Sequence, residues 1–229
     1  MKLRHTLSLL SAFAFAAAPA VAAETVKDSK AALQTLNEFI GEWKGTGASK
    51  TGKAEDWKES MVWSWKIKGD DIALVFKGEG GKQFSTGTLT YLPKEKKYQL
   101  TTTDADKKER VFVGEIKVKK LVLTAQDAET KDKFTIEMST NNDGVRFVYN
   151  VAKQNKGVGI ARKLVEVGLT KEGASLAGGK KNECIVTGGL GTMAVSFNGK
   201  TYYVCCSGCR DEFNENPKKY IDEYEKKKK

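Results

Sequence analysis

The sequence predicts a mainly β protein, an antiparallel barrel followed by a small α+β module organised around cysteines. Three observations carry that expectation. Between Gly41 and about Leu169, short β-prone runs recur, parted by clusters of Gly, Asn, Asp and Lys. No segment among them has room for the helices that parallel strands require. All four cysteines of the 229-residue chain fall within the 26 residues from Cys184 to Cys209, a clustering that points to one local site rather than to bridges spread over a fold.

The first residues set the expected compartment. Met1-Lys2-Leu3-Arg4 is basic, Leu7 to Ala18 is apolar, and Pro19-Ala20-Val21-Ala22-Ala23 supplies small residues. These are the parts of a secretory signal peptide, here residues 1–23, with cleavage expected after Ala22 or Ala23. The apolar run is too short to span a bilayer, and no later segment comes closer. The expected protein is therefore exported, periplasmic or secreted, without a transmembrane segment.

The leader carries His5, the chain's single histidine. A processed chain would have no imidazole, which excludes a His general base and every metal site needing a His ligand from this chain. Loss of Lys2 and Arg4 would lower the formal net charge from +10 to +8. The lysines are scattered and gather at Lys226–Lys229 without interleaved aromatics or a reading helix, the pattern of a solvated surface, and no nucleic-acid partner is expected.

Residues 24–174 form the expected barrel. Leu33, Leu36 and Ile40 recur at helical spacing before Gly41, so a short amphipathic helix should lead in. Strand candidates follow at Met61–Ile67, Asp71–Phe76, Phe84–Tyr91, Lys97–Thr102, Arg110–Val113, Leu121–Thr124, Phe134–Met138, Val145–Val151 and Lys163–Val167. Gly69-Asp70 and Asn141-Asn142-Asp143-Gly144 read as hairpin turns. Eight or nine such strands suit a meander that closes or nearly closes.

The stretch Leu36-Asn37-Glu38-Phe39-Ile40-Gly41-Glu42-Trp43-Lys44-Gly45-Thr46-Gly47 resembles the opening of lipocalin-like barrels of uncharacterised secreted and cytosolic proteins. There a short helix leads into a Gly-x-Trp first strand whose Trp plugs one end. The resemblance implies that a small hydrophobic ligand or haem is a conceivable partner. Haem is not expected, because the processed chain has no axial histidine and Met61 and Met138 are poor substitutes. Trp43, Trp57, Trp63 and Trp65 either line a ligand cavity or fill the interior, and large aromatics usually fill.

Lys171 to Lys181 is rich in Gly, Ser and charge; a linker is expected at 175–181. The cysteine module should occupy 182–229. Thr192–Phe197 and Lys200–Val204 alternate around Asn198-Gly199, the preferred two-residue hairpin turn, which would return Cys205 to the neighbourhood of Cys184. A helix is expected from Ser207, with Asn216-Pro217 ending it and opening another. Tyr202, Tyr203, Phe213 and Tyr220 should form a tiny core against Val195 and Phe197.

In order, Cys184, Gly199-Lys200, Tyr202-Tyr203, Cys205, Cys209, Phe213, Asn216-Pro217 and Tyr220 strongly resemble the treble-clef-like YHS or TRASH metal modules. That resemblance implies Cys184, Cys205 and Cys209 as metal ligands. Cys206 stands where the family commonly has serine, and is either a fourth ligand, a redox-active thiol or a buried side chain. Three or four thiolates suit Zn(II) or Cu(I) rather than Ca(II) or Mg(II). Disulfides are the competing state in an oxidising compartment. No catalytic residue is expected. The function read from the sequence is an exported, non-enzymatic metal-binding protein, with a hydrophobic-ligand carrier, a thiol-redox protein and a disulfide-bonded envelope protein as alternatives.

Overall fold

A computed structural model describes residues 18–52, 55–141, 144–172 and 182–227. Most of the expected leader and the whole expected linker at 175–181 lie outside the described residues. Helix α1 (Ala18–Gln34) runs through both expected cleavage points. Among the described residues, no helix is long and apolar enough to cross a membrane.

Ten strands close an antiparallel barrel: β1 (Gly41–Ser49), β2 (Asp56–Lys68), β3 (Asp71–Glu79), β4 (Thr86–Leu92), β5 (Lys97–Thr103), β6 (Glu109–Lys117), β7 (Lys120–Gln126), β8 (Lys133–Asn141), β9 (Arg146–Gln154) and β10 (Arg162–Lys171). Each pairs with its sequence neighbour, and β1 also pairs with β10, which leaves no free pair of edges. Inward and outward residues alternate, so Glu59, Met61, Trp63 and Trp65 of β2 are buried while Lys58, Val62 and Lys66 face water. Trp57 has the same parity and is half-buried.

One end of the barrel is closed by the chain that precedes it. Leu33 and Leu36, with Ile40, turn their side chains inward as the helical spacing predicts, but the segment Asn37–Phe39 is a single 3-10 turn rather than a continuation of α1. Phe39, Trp63, Phe147 and Trp43 stack edge to face and tilted within 6.2 Å of one another along the chain of contacts, and the Trp43 indole donates to the Phe39 carbonyl at 2.7 Å. Trp43, Trp63 and Trp65 are thus interior filling, as aromatic bulk favours.

The loops lie at the other end. There the buried acid Glu59 accepts from the Tyr149 hydroxyl at 2.7 Å and from the Trp57 indole at 2.9 Å. A recess of about 400 Å³ at this end is lined by exposed side chains including Gln126, Lys133, Lys156 and Val158, on the solvent side of the strands.

Beyond residue 181 the chain folds as expected: hairpin β11 (Met193–Phe197) and β12 (Lys200–Val204), then α2 (Ser207–Glu215) and α3 (Pro217–Lys227). Asn198 and Gly199 both take positive φ, 49° and 75°, the turn that a two-residue hairpin needs.

Candidate metal centre

Four local devices bring the cysteines together. The turn Cys184–Gly189 is closed by Cys184 N–H to the Gly189 carbonyl at 2.7 Å and Gly188 N–H to the Cys184 carbonyl at 2.8 Å. Gly188 has φ +72°, which a side chain would strain. Ile185 N–H donates to the Tyr203 carbonyl at 2.9 Å, so this turn lies against β12 and Cys184 beside Cys205. The chain then bends into α2 with Cys206 at its N-cap in extended conformation, which points Cys209 back from the first turn.

The sulfurs of Cys184, Cys205 and Cys209 all lie within 4.8 Å of one another. Cys205 Sγ is 3.5 Å from Cys209 Sγ. An ion held tetrahedrally at the usual Zn–S distance would put its sulfurs about 3.8 Å apart, so the donor set is already near the required spacing. No disulfide joins them. None of the four cysteines is more than 8% exposed, so an ion here would be shielded from water.

Cys206 is placed differently. Its sulfur lies 3.9 Å from that of Cys205, but it does not belong to the mutually close set of three. It accepts the backbone N–H of Trp65 at 3.3 Å, across 141 residues of sequence. β1 stops at Gly41, opposite Trp63, while β2 runs on to Lys68. The start of α2 covers the strand edge left over. Gly208 is required there, because a Cβ would stand 1.8 Å from the Trp65 carbonyl oxygen.

A second set of bonds joins the same surfaces. The Thr187 carbonyl accepts from Gln34 Nε2 and Asn37 Nδ2, each at 2.9 Å. Asn37 Oδ1 in turn accepts from the Trp65 indole at 3.1 Å. The cysteine turn, the barrel's closing segment and β2 therefore form one continuous network. The Thr187 hydroxyl, itself buried, stands 3.5 Å from Cys205 Sγ and 4.0 Å from Cys209 Sγ.

Crowding four thiols together splits their acidities. Hydrogen bonds from Cys205 pull the Cys184 and Cys206 thiols far below the usual range. Hydrogen bonding to Cys184 pushes the Cys205 and Cys209 thiols up. Two half-buried lysines flank the cluster: burial depresses both ammonium groups, opposed by Glu223 and then Cys209 at Lys30 and by Glu38 and then Cys205 at Lys171. Lys30 also lies over the Tyr220 ring and Lys171 over that of Trp43.

Around the sulfurs, Phe213 and Tyr220 are fully buried and Tyr202 packs on Phe213 at 5.7 Å. Tyr203 and Phe197 are only partly covered, so the core is narrower than the sequence suggests. The buried carboxylate Glu212, which sequence reading missed, accepts from the Tyr220 hydroxyl at 2.7 Å. Its position on the inner face of α2, one residue before Phe213, was the available signal.

No protein-family model matches this chain, and no curated protein matches it. Among solved structures, the crystal structure of Rv2717c from M. tuberculosis is similar, with 16% sequence identity, a TM-score of 0.42, and coverage of 62% of this chain and 97% of that one. The resemblance of the cysteine module to YHS or TRASH modules rests on the ordered residues quoted above.

Proposed function

We infer that the protein is an exported metal-binding protein that holds or hands on a soft transition metal through Cys184, Cys205 and Cys209. The observation that carries this reading is the buried convergence of three sulfurs from a turn, a strand end and a helix start. Hard cations are disfavoured by such a donor set, and Zn(II) and Cu(I) are favoured. A bound ion would hold the turn, the hairpin and α2 together, supplying cohesion that this small core lacks.

The chain's own residues position the donors. The Thr187 hydroxyl bonds Cys205 Sγ and accepts from Cys209 Sγ, and the Gln34–Asn37–Trp65 network fixes the turn against the barrel. The barrel then serves as the platform. Carriage of a small hydrophobic ligand is the weaker reading, since Trp43, Trp63, Trp65, Phe76 and Phe147 occupy the interior next to the closed end.

The test is metal analysis of full-length protein purified from its native compartment, with free thiols counted in parallel. Stoichiometric Zn or Cu, with thiols that become reactive after chelation, is the expected result. A metal-free protein with two disulfides would end this reading.

A further inference from the structure

We propose that Cys206 is a positioning residue held by the barrel, and that its diversion leaves a three-thiolate site selective for Cu(I) over Zn(II). This inference rests on the metal-binding reading above and concerns which ion the site takes.

The argument starts from what Cys206 Sγ touches. It accepts the Trp65 N–H at 3.3 Å, on a strand edge that β1 leaves uncovered. Moving that sulfur toward Cys184 would strand a buried backbone donor, which costs about 1–3 kcal/mol. Gly208, two residues on, is wedged against the Trp65 carbonyl and fixes the same segment. The barrel therefore ties Cys206 down from one side, so that it touches Cys205 and Cys209 without joining the mutually close set that Cys184, Cys205 and Cys209 form.

Among the described residues, no His, Asp or Glu joins the three sulfurs. Closed Zn(II) sites use four ligands drawn from thiolate, imidazole and carboxylate. The buried carboxylate, Glu212, is engaged by Tyr220 and Asn216, and His5 lies outside the described residues. The remaining polar atom is the neutral hydroxyl of Thr187. Burial of all three sulfurs, none more than 7% exposed, disfavours water as a fourth ligand. Cu(I), a soft ion, is satisfied by few thiolates.

The experiment uses the reduced full-length chain without oxygen. Cu(I) and Zn(II) are each titrated against a chromophoric chelator, and copper-edge X-ray absorption counts the sulfurs. The wild type should bind one Cu(I) with three sulfurs, in preference to Zn(II). Cys206→Ser should keep that stoichiometry and sulfur count and weaken Cu(I) by no more than the roughly 10–100-fold that a group outside the ligand set carries. Cys184→Ser and Cys209→Ser should lose it. Near-ultraviolet circular dichroism of the tryptophans shows whether each variant keeps its barrel, and Cys206→Ala serves if the serine variant does not. Four sulfurs on the ion, tighter Zn(II) binding, or loss of Cu(I) by a folded Cys206 variant would overturn the inference while leaving a metal site in place. Failure of the reduced protein to bind either ion would instead overturn the metal-binding reading itself.

Discussion

The barrel and the cysteine module solve the same problem with different materials. The barrel surrounds its interior with ten strands and fills it with tryptophan, phenylalanine and leucine, so hydrophobic burial alone supplies a large driving force. The module has only about 46 described residues, and at its centre lie four sulfurs, two aromatic rings and a short turn. A core that small is marginal without a crosslink, an ion or a neighbour. The module uses the barrel as its neighbour, and its sulfurs are arranged to use an ion as well. Chemistry has been concentrated where packing is weakest.

The sharpest way to break this contrast is to take away the sulfurs' common partner. Chelation under reducing conditions, or the double variant Cys184→Ser/Cys209→Ser, should release residues 182–227 while the barrel stays folded. Amide exchange should show protection lost throughout the module and kept in β1–β10. Equal loss in both regions would mean that the two, whose buried residues are contiguous, unfold as one unit. The next largest effect belongs to the barrel: Trp63→Ala empties the centre of the aromatic cluster and should cost about 3–5 kcal/mol in urea unfolding, with the cysteine module's thiol reactivity little changed.

The interface comes third. Gly208→Ala drives a Cβ into the Trp65 carbonyl and should cost about 1–3 kcal/mol of overpacking strain. The expected result is two separated thermal transitions, with faster labelling of Cys206 as the Trp65 N–H is released. A smaller effect tests the loop end. Burial, the dominant influence, raises the Glu59 carboxyl above its ordinary 4.5 despite the hydrogen bonds from Trp57 and Tyr149. The folded state therefore prefers the protonated acid, and barrel stability should fall as pH rises from the ordinary carboxyl range through the raised value. Glu59→Gln should flatten that slope in urea midpoints measured from about pH 4.5 to neutrality. The smallest change is at the β6–β7 turn, where Val118 is 95% exposed with φ 46°. Val118→Gly should raise stability by about 1 kcal/mol, because a β-branched residue is strained there.

That last turn also shows why part of the barrel was hard to read. Arg110–Val113 and Leu121–Thr124 looked like short strands with a loop between, whereas β6 and β7 extend to Lys117 and from Lys120 around the two residues Val118 and Lys119. Both residues take positive φ although neither is Gly, Asn or Asp, so no local chemistry announced the turn. Cross-strand pairing in a closed sheet imposes it. The count of eight or nine strands fell short of ten in part because β1, Gly-rich and weakly alternating (Gly41, Gly45, Gly47), is recognisable by its Trp43 and little else. By contrast, Asn198-Gly199 and Asn216-Pro217 announced their breaks in full, since each has a strong backbone preference of its own.

What the chain's residues determined by themselves was local: alternation made the strands, turn chemistry made the second hairpin, and the spacing of Cys205 and Cys209 put two sulfurs on one bend. The order of elements then made an antiparallel barrel the expected outcome. Only the tertiary structure decided that β1 stops two residues short of Trp65, that the start of α2 covers that edge, and that Cys206 accepts a barrel N–H besides touching its neighbouring sulfurs. Adjacent cysteines have the same intrinsic preferences. What the second of them touches is settled by a backbone N–H that lies 141 residues away in sequence and meets it only after the barrel has closed.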